Sequence, residues 1–116
     1  MNRTFMIILA SAAAAFAPMS ARATSFDCTR AHAPDEKAIC ASRALNDKDV
    51  RMSTLYEIDG HLVGMGRRGA MHDDQIAWLK ARKACGAARA CLNAAYDRRI
   101  AALRSVLEEV YTHGPF

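Results

Sequence analysis

A chain of 116 residues, 52% hydrophobic and 24% charged, has the material for one small domain and not for two. Its 16 Lys+Arg against 12 Asp+Glu leave a formal net charge of +4, a modest excess that does not by itself mark a polyanion binder. Four cysteines point toward covalent staples.

Arg3 is followed by an apolar run from Phe5 to Ala17 and then by Ala21-Arg22-Ala23, the pattern of a signal peptide cleaved near Ala23. The run is short and alanine-rich, and no later stretch approaches the ~20 apolar residues of a membrane span. The expected domain organisation is therefore a leader over residues 1–23 and one helical domain over 24–116, exported to the periplasm or secreted, with no membrane span. Cys28 lacks the small and aliphatic residues that precede a lipid-bearing cysteine, so it is read as a disulfide cysteine.

Removing the leader leaves 93 residues, a length that buries only roughly 60–65% of the unfolded surface. All four cysteines lie in this part, and in an oxidising compartment an even count predicts two disulfides. Spacing favours the local pairs Cys28–Cys40 and Cys85–Cys91, each adding roughly 2–3 kcal/mol in the chain-entropy model. Zinc is the rival reading, but eleven and five intervening residues do not match paired C-x2-C ligands.

Pro34-Asp-Glu-Lys-Ala-Ile-Cys40 reads as a short helix, with Pro in the first turn and acids at its positive end. Ser42 is a cap for the next helix, whose stripe Leu45, Met52, Leu55, Tyr56 and Leu62 carries it to about Gly60 or slightly beyond. Asp49 is the polar member of that stripe. Four glycines within residues 60–69 then predict a mobile connection, Gly60 to Met71, because each costs ~1 kcal/mol inside a helix. His72-Asp73-Asp74 opens a third helix bearing Ile76, Trp78 and Leu79, which stops near Cys85-Gly86. A last helix from about Ala88 to Tyr111 carries Leu92, Ala95/Tyr96, Ile100, Leu103, Val106/Leu107 and Val110, with Gly114-Pro115 ending it. The predicted fold class is all-α: a small disulfide-stapled helical bundle or hairpin of about four helices.

Several of these residues follow one family's pattern in order: Glu36-x2-Ile39-Cys40, Leu45-x3-Asp49-x6-Tyr56, then Gln75-x2-Trp78-Leu79-x2-Arg82-x2-Cys85-x5-Cys91-Leu92-x3-Tyr96-x2-Arg99-Ile100. The chain thus resembles the LprI-type family of small exported helical domains over about residues 26–104. The family is named for a mycobacterial lipoprotein that inhibits lysozyme, and most members have no established activity. The resemblance implies an envelope protein that protects peptidoglycan from a muramidase. The pattern departs at Lys48, where an aliphatic residue is usual, in the glycine-rich segment 60–69, and in lacking a lipid-attachment motif.

Gln75, Trp78, Arg82 and Cys85 are three, four and three apart and share one helical face, which turns Arg82 toward the core. Asp49 has the same setting on its own helix, so Asp49 and Arg82 are expected to form a structural ion pair across the bundle. A carboxylate held by Arg is a poor general acid or base, which argues against a catalytic couple. Tyr56, Trp78 and Tyr96 are read as core rings, the Trp N–H bonded at the core edge and the Tyr hydroxyls at the rim.

His32, His61, His72 and His113 stand at no ligand spacing, so no metal and no cofactor is expected. Neither the serines nor the neighbouring carboxylates Asp35-Glu36, Asp73-Asp74 and Glu108-Glu109 form a catalytic constellation, and the acids near helix starts suit the macrodipole. The chain is therefore read as a non-enzyme with a protein partner, a lysozyme being the first candidate.

Between Ala77 and Arg104 seven basic residues face one acid, Asp97. Export argues against nucleic acid as the partner, leaving an anionic envelope surface or an acidic protein patch. The candidate binding residues are Lys80, Lys83 and Arg89 on the outward helix faces, with Arg98 beside them, and Arg67 and Arg68 at the tip of the glycine-rich segment. A loop carrying those two arginines is a device for entering a cleft that holds two carboxyl groups, as in a glycosidase, with Asp47, Glu57 and Asp59 framing the contact.

Overall fold

A computed structural model describes residues 24–114; the leader reading of residues 1–23 and the stop at Pro115 fall outside the described residues. Four α-helices follow a short 3-10 turn at Cys28–Arg30: α1 Pro34–Ala41, α2 Arg43–Leu62, α3 Met65–Ala84 and α4 Arg89–His113. The described part is all-α and held by disulfides Cys28–Cys40 and Cys85–Cys91, whose Cα atoms lie 5.9 and 5.5 Å apart.

Local chemistry sets most boundaries. Asp27 caps the first turn by accepting the Thr29 N–H, and Pro34 occupies the first turn of α1, where its missing N–H costs nothing. Ser42 caps α2 through the Leu45 N–H, while the Asn46 amide reaches back 2.7 Å to the Ile39 carbonyl and satisfies the end of α1. Gly86, at φ 54, makes the tight reversal after α3, and Cys85–Cys91 clamps it to the first turn of α4.

The glycine-rich segment is the main departure from expectation. It is not a connecting loop: α2 continues to Leu62, α3 begins at Met65, and only Val63 and Gly64 lie between them. Tertiary anchoring overrides the glycine penalty. Val63 and Met71, 4% and 6% exposed, pin both sides of the break into the core. Arg68 caps the end of α2 by donating to the carbonyls of Gly60 and Val63, and Arg67 pairs with Glu109 on α4.

Bonds between the helices fix their directions. Asp49 on α2 meets Tyr96 on α4 and Asp59 further along α2 lies near Arg99, so these helices run parallel; Arg67 and Gln75, about two turns apart on α3, meet Glu109 and Arg99 on α4, so α3 runs antiparallel to both. α1 lies across one end. The core stacks Ile39, Leu45, Met52, Val63, Met71, Leu92, Tyr96, Ile100, Leu103 and Val110. On α3 only Trp78 of the expected apolar trio turns inward, Ile76 and Leu79 being exposed.

Candidate functional site

Four helices converge on one guanidinium. Arg82 of α3 is 6% exposed, and its Nε donates to Asp35 Oδ2 at 3.0 Å while Nη1 stands 3.9 Å from Asp49 Oδ1. The rings of Phe26 and Trp78 flank the same guanidinium, 5.4 and 5.7 Å from their centroids. Asp49, with no exposed surface, also accepts the Tyr96 hydroxyl at 2.8 Å and the Ser25 N–H at 2.6 Å. The cluster thereby joins the N-terminal segment to α1, α2, α3 and α4.

Arg82 and Asp49 thus lie within ion-pair distance, but the shorter bond goes to Asp35. Asp35 stands in the first turn of α1 as expected, but it is also 1% exposed and accepts from Arg82, a partnership not expected from the sequence. The signal was present, because Asp35 precedes buried Ile39 by four residues and shares its face. Tyr96 is corrected, from a rim hydroxyl to a wholly buried one. Burial, and then the neighbouring Asp49 charge, raise its pKa above the ordinary phenol value.

Trp78 packs edge-on to Tyr96, centroids 5.1 Å apart, and its Nε1–H donates 2.9 Å to the Ala95 carbonyl at the core edge. Tyr56 keeps its hydroxyl at the rim, 3.3 Å from His72 Nδ1. Lys48 pairs with Asp97 at 2.7 Å, which gives this departure from the family pattern a local partner.

The arginines proposed to tip a loop sit instead in the first turns of α3. Arg67 is committed to Glu109, and Arg68 to the carbonyls ending α2, so neither projects on a free segment. Lys80, Lys83 and Arg89 are exposed, as are Arg98 and Arg104, and none of the five has an ion-pair partner among the described residues. Lys80 and Lys83, three residues apart, share the outer side of α3.

Asp59 was expected on the surface beside Asp47 and Glu57, and this too is corrected. It has no exposed surface, and neither carboxylate oxygen meets a hydrogen-bond donor among the described residues. Burial pushes its pKa up from 3.8 to about 6, against the opposing fields of Arg67 and Arg99. The helical stripe reveals it, since Asp59 lies seven residues after Met52 and four before Val63.

Arg99 is a second buried cation, 8% exposed, donating to Gln75 Oε1 at 2.9 Å and to the Met71 carbonyl at 3.4 Å. Loss of hydration lowers its pKa from the ordinary arginine value. Outside these groups, α2 and α3 diverge around a cavity of about 240 Å³ lined by Tyr56, Glu57, Gly60, His61, Arg68 and Met71. Among the described residues no three His, Cys, Asp or Glu side chains are grouped to hold a metal ion, and no helix is long and apolar enough to cross a membrane.

Comparison with protein-family models, curated proteins and solved structures finds no match to this chain. The likeness to the LprI-type family rests on the residue pattern alone.

Proposed function

We propose that this chain is an exported, non-catalytic binding protein that docks on an anionic envelope surface through cations carried by α3 and α4. The observation that supports this reading is the division of its charges. Asp35, Asp49, Arg82 and Arg99 are spent inside the bundle on one another or on Tyr96, Gln75 and backbone groups, while Lys80, Lys83, Arg89 and Arg98 stand outside without ion-pair partners among the described residues. Buried groups satisfied in this way hold helices in register; unpaired surface cations attract an anionic partner at a range set by salt.

Cosedimentation of the disulfide-bonded chain with vesicles rich in anionic phospholipid, and with purified peptidoglycan sacculi, tests the reading. Binding at ~25 mM salt that falls several-fold by ~300 mM supports it. Absence of binding to both at low salt overturns it.

The second reading is muramidase inhibition, which the family resemblance implies. Its insertion device cannot be a glycine loop, since residues 65–71 are helical. A contact by this route would use the α2–α3 edge, where Glu57, His61 and Arg68 line the cavity. A cell-wall turbidity assay with several lysozyme classes decides it: slowed clearing at micromolar protein supports inhibition, and unchanged clearing with every class rejects it.

A further inference from the structure

The α2–α3 corner encloses a carboxylate that the bundle does not satisfy. Two guanidiniums face Asp59 without bonding it: Arg67 of α3 is paired with Glu109 of α4, and Arg99 of α4 donates to Gln75 and to the Met71 carbonyl. Behind Arg99 stand Asp74 and Tyr56. On its own helix Tyr56, Glu57 and His61 line the outer cavity, together with Arg68, which is occupied by the Gly60 and Val63 carbonyls. No donor among these groups reaches the Asp59 oxygens, so an ionised carboxylate there is solvated by nothing nearer than two engaged arginines.

The start of α3 beside this carboxylate has weak local support. α3 starts without a side-chain cap, and Gly66 and Gly69 fall in its first two turns. A Cβ added at either glycine would meet nothing within 4 Å, so neither is needed to admit a close neighbour. Glycines in a helix that no packing demands make the segment easy to open. The weak turn and the unsolvated carboxylate are adjacent, and each gives the other a consequence.

We propose that the α2–α3 corner is an acid-closed latch, in which protonated Asp59 lies under a closed first turn of α3 and loss of its proton drives the glycine-rich turn open to hydrate the carboxylate. Opening separates Arg67 from Glu109, releases Arg68 from the end of α2, and exposes Val63 and Met71. The closed form holds the proton more tightly than the open form does. Closure is therefore most favoured below about pH 4 and is lost as the pH rises through about 6. If the open form restores the carboxyl to its ordinary value of 3.8, the open-to-closed ratio rises about tenfold between roughly pH 5 and pH 7.5.

Hydrogen exchange of the disulfide-bonded chain at these two pH values, with rates normalised to the unstructured peptide, tests the latch. Residues 60–71 should lose about tenfold protection at the higher pH while the centre of α4 keeps its own. Asp59→Asn, which mimics the protonated form, should hold 60–71 protected at both. Gly69→Ala should lower the opening at both pH values and preserve their ratio. Equal normalised protection at the two pH values, an equal loss in Asp59→Asn, or a parallel loss across α4 would each overturn the proposal.

Discussion

Replacing Arg82 by Met removes the cation on which α1, α2 and α3 meet while keeping a side chain of similar length. The Asp35 carboxylate would lose its one hydrogen-bonding partner among the described residues, because its Oδ1 already meets no donor there. Asp49 would keep the Tyr96 hydroxyl and the Ser25 N–H and lose only the longer 3.9 Å contact. An uncompensated buried charge costs about 3–5 kcal/mol, and most of it should fall on Asp35. In urea unfolding followed by circular dichroism with disulfides intact, a slope near ~1 kcal/mol/M turns that loss into a midpoint lower by about 3–5 M. A double-mutant cycle with Asp35→Asn should show coupling above ~1 kcal/mol, and one with Asp49→Asn a smaller value. An Arg82→Met variant within ~1 kcal/mol of the parent, or zero coupling to Asp35, would refute the reasoning.

The glycine correction has its own test, since Gly69→Ala places a methyl in open space inside a helix and should raise stability by about 0.5–1 kcal/mol in the same urea assay. Tyr96→Phe should cost about 1–3 kcal/mol in that assay, by removing a buried donor from Asp49. The raised pKa of the Tyr96 phenol makes the fold tightest below pH ~10 and progressively weaker above it. An ultraviolet titration should therefore find one tyrosine that ionises last, together with unfolding, and that is absent from Tyr96→Phe. Changing both Cys85 and Cys91 to Ser should lower stability by roughly 2–3 kcal/mol by urea unfolding, because the loop they close is short and the core they support is small.

Much of the fold can be read from the residues, because helical periodicity, Pro34, Ser42 and Gly86 act locally and the cysteine spacing admits local bridges. The inward turn of Trp78 and Arg82 follows from spacings of three and four in the same way. Residues 60–71 were hidden because propensity and tertiary anchoring oppose each other there, and Val63, Met71, Arg67 and Arg68 prevail through partners remote in sequence or across the break. Asp35 and Asp59 were hidden for a different reason. Both occupy core positions of their helical stripes, yet an acid in such a place reads as solvated until the cation that faces it is located. Arg82 lies 47 residues from Asp35, a separation that no local pattern spans.

The division between buried, spent charges and exposed, unpaired ones is tested most directly by reversing the latter. The Lys80→Glu/Lys83→Glu variant of the disulfide-bonded chain, cosedimented with anionic vesicles and with sacculi at low salt beside the parent chain, reads that out. Binding reduced at least several-fold, with the urea midpoint unchanged, is the predicted result, because both residues are exposed on α3. Binding equal to that of the parent would contradict the assignment of this face.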